Sequence, residues 1–81
     1  MKLINRLKSF EKQYVFLRWA TGAEYGKIVY VGEDYLEFNI IDVDSMECRE
    51  TVMLNSNLVM EIIYGGADIS RIVAEISSMI D

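Results

Sequence analysis

No histidine occurs anywhere in the 81 residues. Ser-His-Asp and Cys-His nucleophile systems, imidazole acid–base catalysis and the common zinc sites all need a ring nitrogen that titrates or coordinates near neutrality, so these classes are excluded. Cysteine is almost absent too. Cys48 stands alone, which rules out an internal disulfide and fits a reducing compartment; its plain reading is a small strand residue. There is no proline to interrupt a strand ladder. Apolar runs reach only a few residues, against roughly 20 for a membrane span, and the start lacks a signal-peptide pattern. The expectation is a soluble, cytoplasmic protein without a membrane partner.

Apolar residues are abundant, at 52% of the chain. A single domain of this size buries only roughly 60–65% of its unfolded surface, so part of that apolar surface is expected to meet another subunit. Carboxylates remain as the only chemistry-bearing pairs, at Glu33 with Asp34 and at Asp42 with Asp44. They can hold a divalent ion or exchange protons, but neither matches a calcium loop, and acidic residues between strands mostly mark turns. No catalytic residue, metal site or cofactor is expected, and the chain does not read as an enzyme.

Residues 1–12 carry a helical stripe of Leu3, Ile4, Leu7 and Phe10, with Lys2, Arg6, Lys8 and Lys12 around the rest of the circumference. Four basic side chains against Glu11 make this segment +3, whereas residues 13–81 hold four basic and twelve acidic side chains, a net of −8. The basic face is either a solvated helix surface or an electrostatic footprint for phosphates.

Five strands are expected between residues 13 and 64. Val15, Leu17 and Trp19 alternate with Phe16, Arg18 and Ala20, and Thr21 and Gly22 turn the chain. A second run, Ile28 to Val31, begins just after Gly26, where the sheet bends or another backbone approaches. The turn Gly32, Glu33, Asp34 precedes a third strand, Tyr35 to Ile41, with Leu36, Phe38 and Ile40 on one face. An acidic loop, residues 42–47, leads to a fourth strand from Cys48 to Leu54; Asn55, Ser56 and Asn57 turn into a fifth from Leu58 to Tyr64, apolar on both faces and expected to be covered on both. After Gly65 and Gly66, Asp68 is a good N-cap for a C-terminal helix, residues 67–81, striped by Ile69, Ile72, Val73, Ile76, Met79 and Ile80. That stripe is a lid on the sheet or a packing face between subunits.

A helix followed by five meandering strands, with glycine in the second, resembles the Sm and Sm-like (LSm) family, including its Hfq branch, over residues 1–64. The best local points are Gly26 followed by Lys27, Ile28 and Val29, the stretch Glu33 to Phe38, and Leu54-Asn55-Ser56-Asn57-Leu58. In the last segment the family typically shows an arginine-glycine pair, one variable residue, an asparagine and an aliphatic residue. This chain keeps Asn57 and Leu58 but has Leu54 and Asn55 in place of the pair.

The resemblance implies a mainly β, small α+β fold: a strongly bent five-stranded antiparallel sheet or open barrel in one domain, with an N-terminal helix and an added C-terminal helix. It further implies a homo-oligomeric ring of about five to seven subunits, closed through strand edges 48–54 and 58–64, that binds single-stranded RNA, or DNA, around its pore. Tyr35, Asn55, Ser56 and Asn57 then fall in the pore loops, where Tyr35 stacks a base and the asparagines read base edges. The plain alternative makes Tyr35 a strand aromatic and the asparagines turn formers. Lys2, Arg6, Lys8 and Lys12 form the second candidate surface, a positive rim around the ring. The departures resemble bacterial or phage outliers of the family, implying a role in RNA or DNA processing during infection. The other reading is an oligomeric scaffold that recruits a protein through the C-terminal helix or an open edge, without nucleic acid.

Overall fold

Alternating apolar and polar residues build five strands, and the helical stripes flank them. The computed structural model describes residues 3–79; Met1, Lys2, Ile80 and Asp81, and the side chains of residues 3–5, lie outside the described set. The order is α1 (Leu3–Lys8), β1 (Tyr14–Trp19), β2 (Gly22–Val31), β3 (Tyr35–Ile41), β4 (Cys48–Asn55), a 3-10 turn (Ser56–Leu58), β5 (Val59–Ile63) and α2 (Ala67–Met79). All strand pairs are antiparallel, in one open sheet of order β4-β3-β2-β1-β5. The chain is therefore a small, mainly β, α+β domain.

The first helix is shorter than the 1–12 stripe predicts. Ser9, Phe10 and Glu11 donate their N–H groups three residues back to Arg6, Leu7 and Lys8, and Lys12 takes a left-handed backbone with φ 70°. Tertiary bonds force that exit: Lys12 N–H donates to the Ile28 carbonyl at 2.6 Å, Ile28 N–H donates to Gln13, and the Glu11 carboxylate accepts the Val31 N–H at 2.9 Å. Lys12 thus belongs to the turn into β1 and not to a helix face.

Gly26 lies in the middle of β2, not before its start, because the strand runs ten residues through it. A side chain there would strike the Asn39 carbonyl and the Phe38 ring of β3, so the expected close backbone approach is what glycine supplies. The fifth strand begins one residue later than its pattern suggests. Leu58 is taken by the 3-10 turn, where its carbonyl accepts the Ala20 N–H. Asp68 is inside the first turn of α2 rather than at its cap, and its carboxylate accepts the Tyr25 hydroxyl at 3.2 Å. Desolvation first, and this contact second, raise the Tyr25 hydroxyl above its ordinary value.

One apolar cluster joins α1 to all five strands: Leu7, Phe10, Val15, Leu17, Ile28, Val31, Leu36, Phe38, Ile40 and Val59 are buried, with Val52, Leu54 and Ile62 packed against them. Because the two outermost strands contribute to the same cluster, the sheet wraps around it. The opposite face carries a second cluster, in which Ile72 of α2 meets Ile41 and Met46, flanked by Tyr14, Tyr25, Val43 and Ile76. Val15 and Tyr14 are adjacent on β1 and point to opposite faces, so α1 and α2 cover opposite sides of the sheet.

Candidate nucleic-acid interface and sheet edges

The β2–β3 turn and the β4–β5 turn come together, as the pore-loop expectation requires. Tyr35 is in register with Asn55, and the Ser56 N–H donates to the Asp34 carbonyl at 2.9 Å. The contacts of each side chain there are as follows. Asn55 caps the 3-10 turn, its carboxamide oxygen accepting the Asn57 N–H at 2.9 Å. That engages one of the groups a base edge would need. Ser56 is buried, and Asn57 is exposed.

Tyr35 is half-buried, lies over Gly32, and pairs with Tyr30 at a ring separation of 5.8 Å. Desolvation, Tyr30, and the carboxylates of Glu37 and Asp34 raise its hydroxyl above the ordinary phenol value. A negative potential at this spot opposes phosphate.

The basic candidates are split by the fold. Arg6 and Lys8 are exposed on α1, Lys12 is exposed on the following turn, and Lys2 lies outside the described residues. Arg6 sits over the Phe10 ring, 5.7 Å from its centre. Among the described residues none of these three cations makes an ion pair; the pairs present are Arg18 with Glu61 and Arg49 with Glu24 and Glu50.

The acidic loop is a turn and not a ligand set. Asp42 accepts the N–H groups of Asp44 and Ser45, and Met46 follows at φ 61° with its side chain under α2. Among the described residues no three cysteine, aspartate or glutamate side chains converge as a metal site would require. None of the described helices is long and apolar enough to cross a membrane.

The strand edges 48–54 and 58–64, read as edges from the resemblance, lie at the two ends of the sheet, while a bulge beside one of them carried no signal in the pattern. β4 and β5 each pair on one side only, which leaves two open edges in the sheet. Met53 on β4 is 67% exposed and Met60 on β5 is 70% exposed. Met60 is a bulge: Arg18 pairs with Glu61 and Trp19 with Val59, so Met60 has no opposite residue on β1. The periodicity of a short apolar run carries no signal for such an insertion. Beside it runs a groove of about 210 Å³ between α1 and β5, lined by Arg6, Phe10, Val59, Met60, Ile62 and Tyr64, together with Glu61.

Comparison with protein-family models, curated proteins and solved structures finds no match.

Proposed function

We propose that the chain is an Sm-like subunit that assembles through β4 and β5 into a closed homo-oligomer and presents the basic α1 end to single-stranded nucleic acid, RNA in preference to DNA. The observation that carries this reading is the strand order. The two strands that such rings use for closure are the two this sheet leaves open, each flanked by an exposed methionine. A row of unpaired backbone groups beside apolar side chains is a template for another strand, and a head-to-tail contact of two different edges closes into a ring when the rotation permits.

Repetition around a ring changes the meaning of net charge. A subunit of charge −5 still offers a positive rim when exposed Lys8 and Lys12 are repeated once per copy. Binding there uses the phosphate backbone, which the acidic neighbours of Tyr35 disfavour at the loop end. Native mass spectrometry with a short U-rich RNA tests both parts: a closed oligomer holding one strand is expected. Lys8→Glu with Lys12→Glu should lower RNA affinity by about tenfold or more at low salt, and unchanged affinity would falsify the basic-rim site.

The scaffold reading is favoured by a different observation, the engagement of Asn55 in the turn beside the carboxylates around Tyr35. A ring that ignores RNA at every salt concentration is its signature. Apolar docking of a protein partner weakens little with added salt, whereas phosphate binding weakens steeply.

A further inference from the structure

A second groove, of about 360 Å³, lies between the start of β1, Tyr64 just after β5, and α2. Its lining is Lys12, Gln13, Tyr14, Tyr64, Ile69 and Val73, a cation and two tyrosines over an apolar floor, with no carboxylate. The charge of the lining is thus opposite in sign to the −5 of the chain.

The two tyrosines differ in what they have left to offer. Tyr14 is half-buried, and its ring is covered by the Lys27 ammonium, 5.5 Å from the centroid. Tyr64 rests against the Phe10 ring, with centroids 4.8 Å and planes 37° apart, and is still 56% exposed. The protein holds one side of Tyr64 and leaves the other open to the groove. Lys12, fixed by its backbone bond to Ile28, and Lys27, opposite Tyr14 in the β1–β2 register, stand beside it. Neither makes an ion pair among the described residues. Asp68, next to Ile69 on α2, is engaged by the Tyr25 hydroxyl at 3.2 Å.

We infer that this groove is a base-binding subsite: one unpaired base of a single strand stacks on Tyr64 above Ile69 and Val73, while Lys12 and Lys27 take the flanking phosphates. This rests on the nucleic-acid reading above and gives the phosphate-binding rim a base contact beside Lys12. It does not depend on ring closure. Shape and charge select the occupant together. An open aromatic face beside two unpaired lysines matches a planar ring with a negative group on either side. An apolar peptide would use the same floor but brings no countercharge for the lysines. The volume is at the small end of the roughly 300–1,000 Å³ of small-ligand sites, which suits a single base better than a docked helix.

The test is binding of the full chain to a fluorescein-labelled oligouridine and to an abasic ribose–phosphate strand of the same length, by anisotropy across a salt series. Wild type should prefer the oligouridine by about tenfold. Tyr64→Leu, which keeps an apolar group against Phe10, should lose that preference, and Tyr64→Phe should keep it. Lys27→Gln should weaken both strands alike and reduce the salt slope by about 0.7, the share of one phosphate. Photo-crosslinking of the wild-type chain to 5-iodouridine RNA needs no variant, and its adduct should fall on Tyr64. Equal affinity of wild type for the two strands, unchanged preference in Tyr64→Leu, or an adduct only elsewhere overturns the subsite while phosphate binding stands. Binding to neither strand at low salt overturns the nucleic-acid reading and the subsite with it, and passes the groove to a protein partner.

Discussion

Asn55 shows how a residue type that suits base recognition can be committed elsewhere by its neighbours. Its side chain accepts the Asn57 N–H at the start of a 3-10 turn, a bond that satisfies an otherwise unpaired donor. Replacing it with alanine should cost about 1 kcal/mol of stability, read from urea unfolding, with RNA affinity per folded molecule unchanged. A tenfold loss of affinity at full stability would restore the base-reading role. Gly26 is the counterexample, a residue whose task was legible in advance. Glycine just before an apolar run announces a bend or a close backbone approach, and the Asn39 carbonyl shows that it is the approach. Tyr35 falls between the two, since an aromatic at a strand start suits both stacking and packing, and only its contact with Gly32 and Tyr30 separates them.

Among the elements, α2 repays attention because its stripe was readable and its docking face was not. Repeats of isoleucine at helical spacing predict an amphipathic helix, but the partners of Ile72 are Ile41 and Met46, brought from the far side of the sheet. Truncating Ile72, 1% exposed, to alanine should cost about 2–4 kcal/mol from lost burial and the residual cavity. The check is a shift of the urea midpoint with little change in its slope; an effect below about 1 kcal/mol would mean that α2 is not docked as described. Val73 and Met79 stay exposed at 42% and 60%, so the helix does not spend its whole stripe on its own sheet. α1 ends early for a related reason. The bonds of Lys12 and Gln13 to Ile28 place β1 in register with β2, and continuing the helix would break them.

At the scale of the whole molecule, two clusters on opposite faces of one thin sheet leave both edge strands uncovered. Met53, Met60 and Ile63 are exposed there, although the alternation in residues 58–64 predicts a strand covered on both faces. On the proposed assembly a second copy would cover these side chains. If the edges pair between copies, the thermal midpoint should rise with protein concentration, because association stabilises only the folded state. A midpoint independent of concentration over a hundredfold range in which the chain stays monomeric by light scattering would leave the edges unpaired.

The chain by itself determined the elements and their order. Period-two alternation, the glycine and acidic turns between strands, and the helical stripes at either end act over neighbouring residues, and neighbouring residues are what a sequence displays. Charge segregation and the lack of histidine were equally plain, being sums over the chain. Tertiary structure alone decided where β5 bulges at Met60 and that Lys12 leaves the helix. Each of these depends on a hydrogen bond or a contact between residues distant in the chain, and such pairings are set by which backbone groups and apolar faces remain unsatisfied once the sheet has closed around its core.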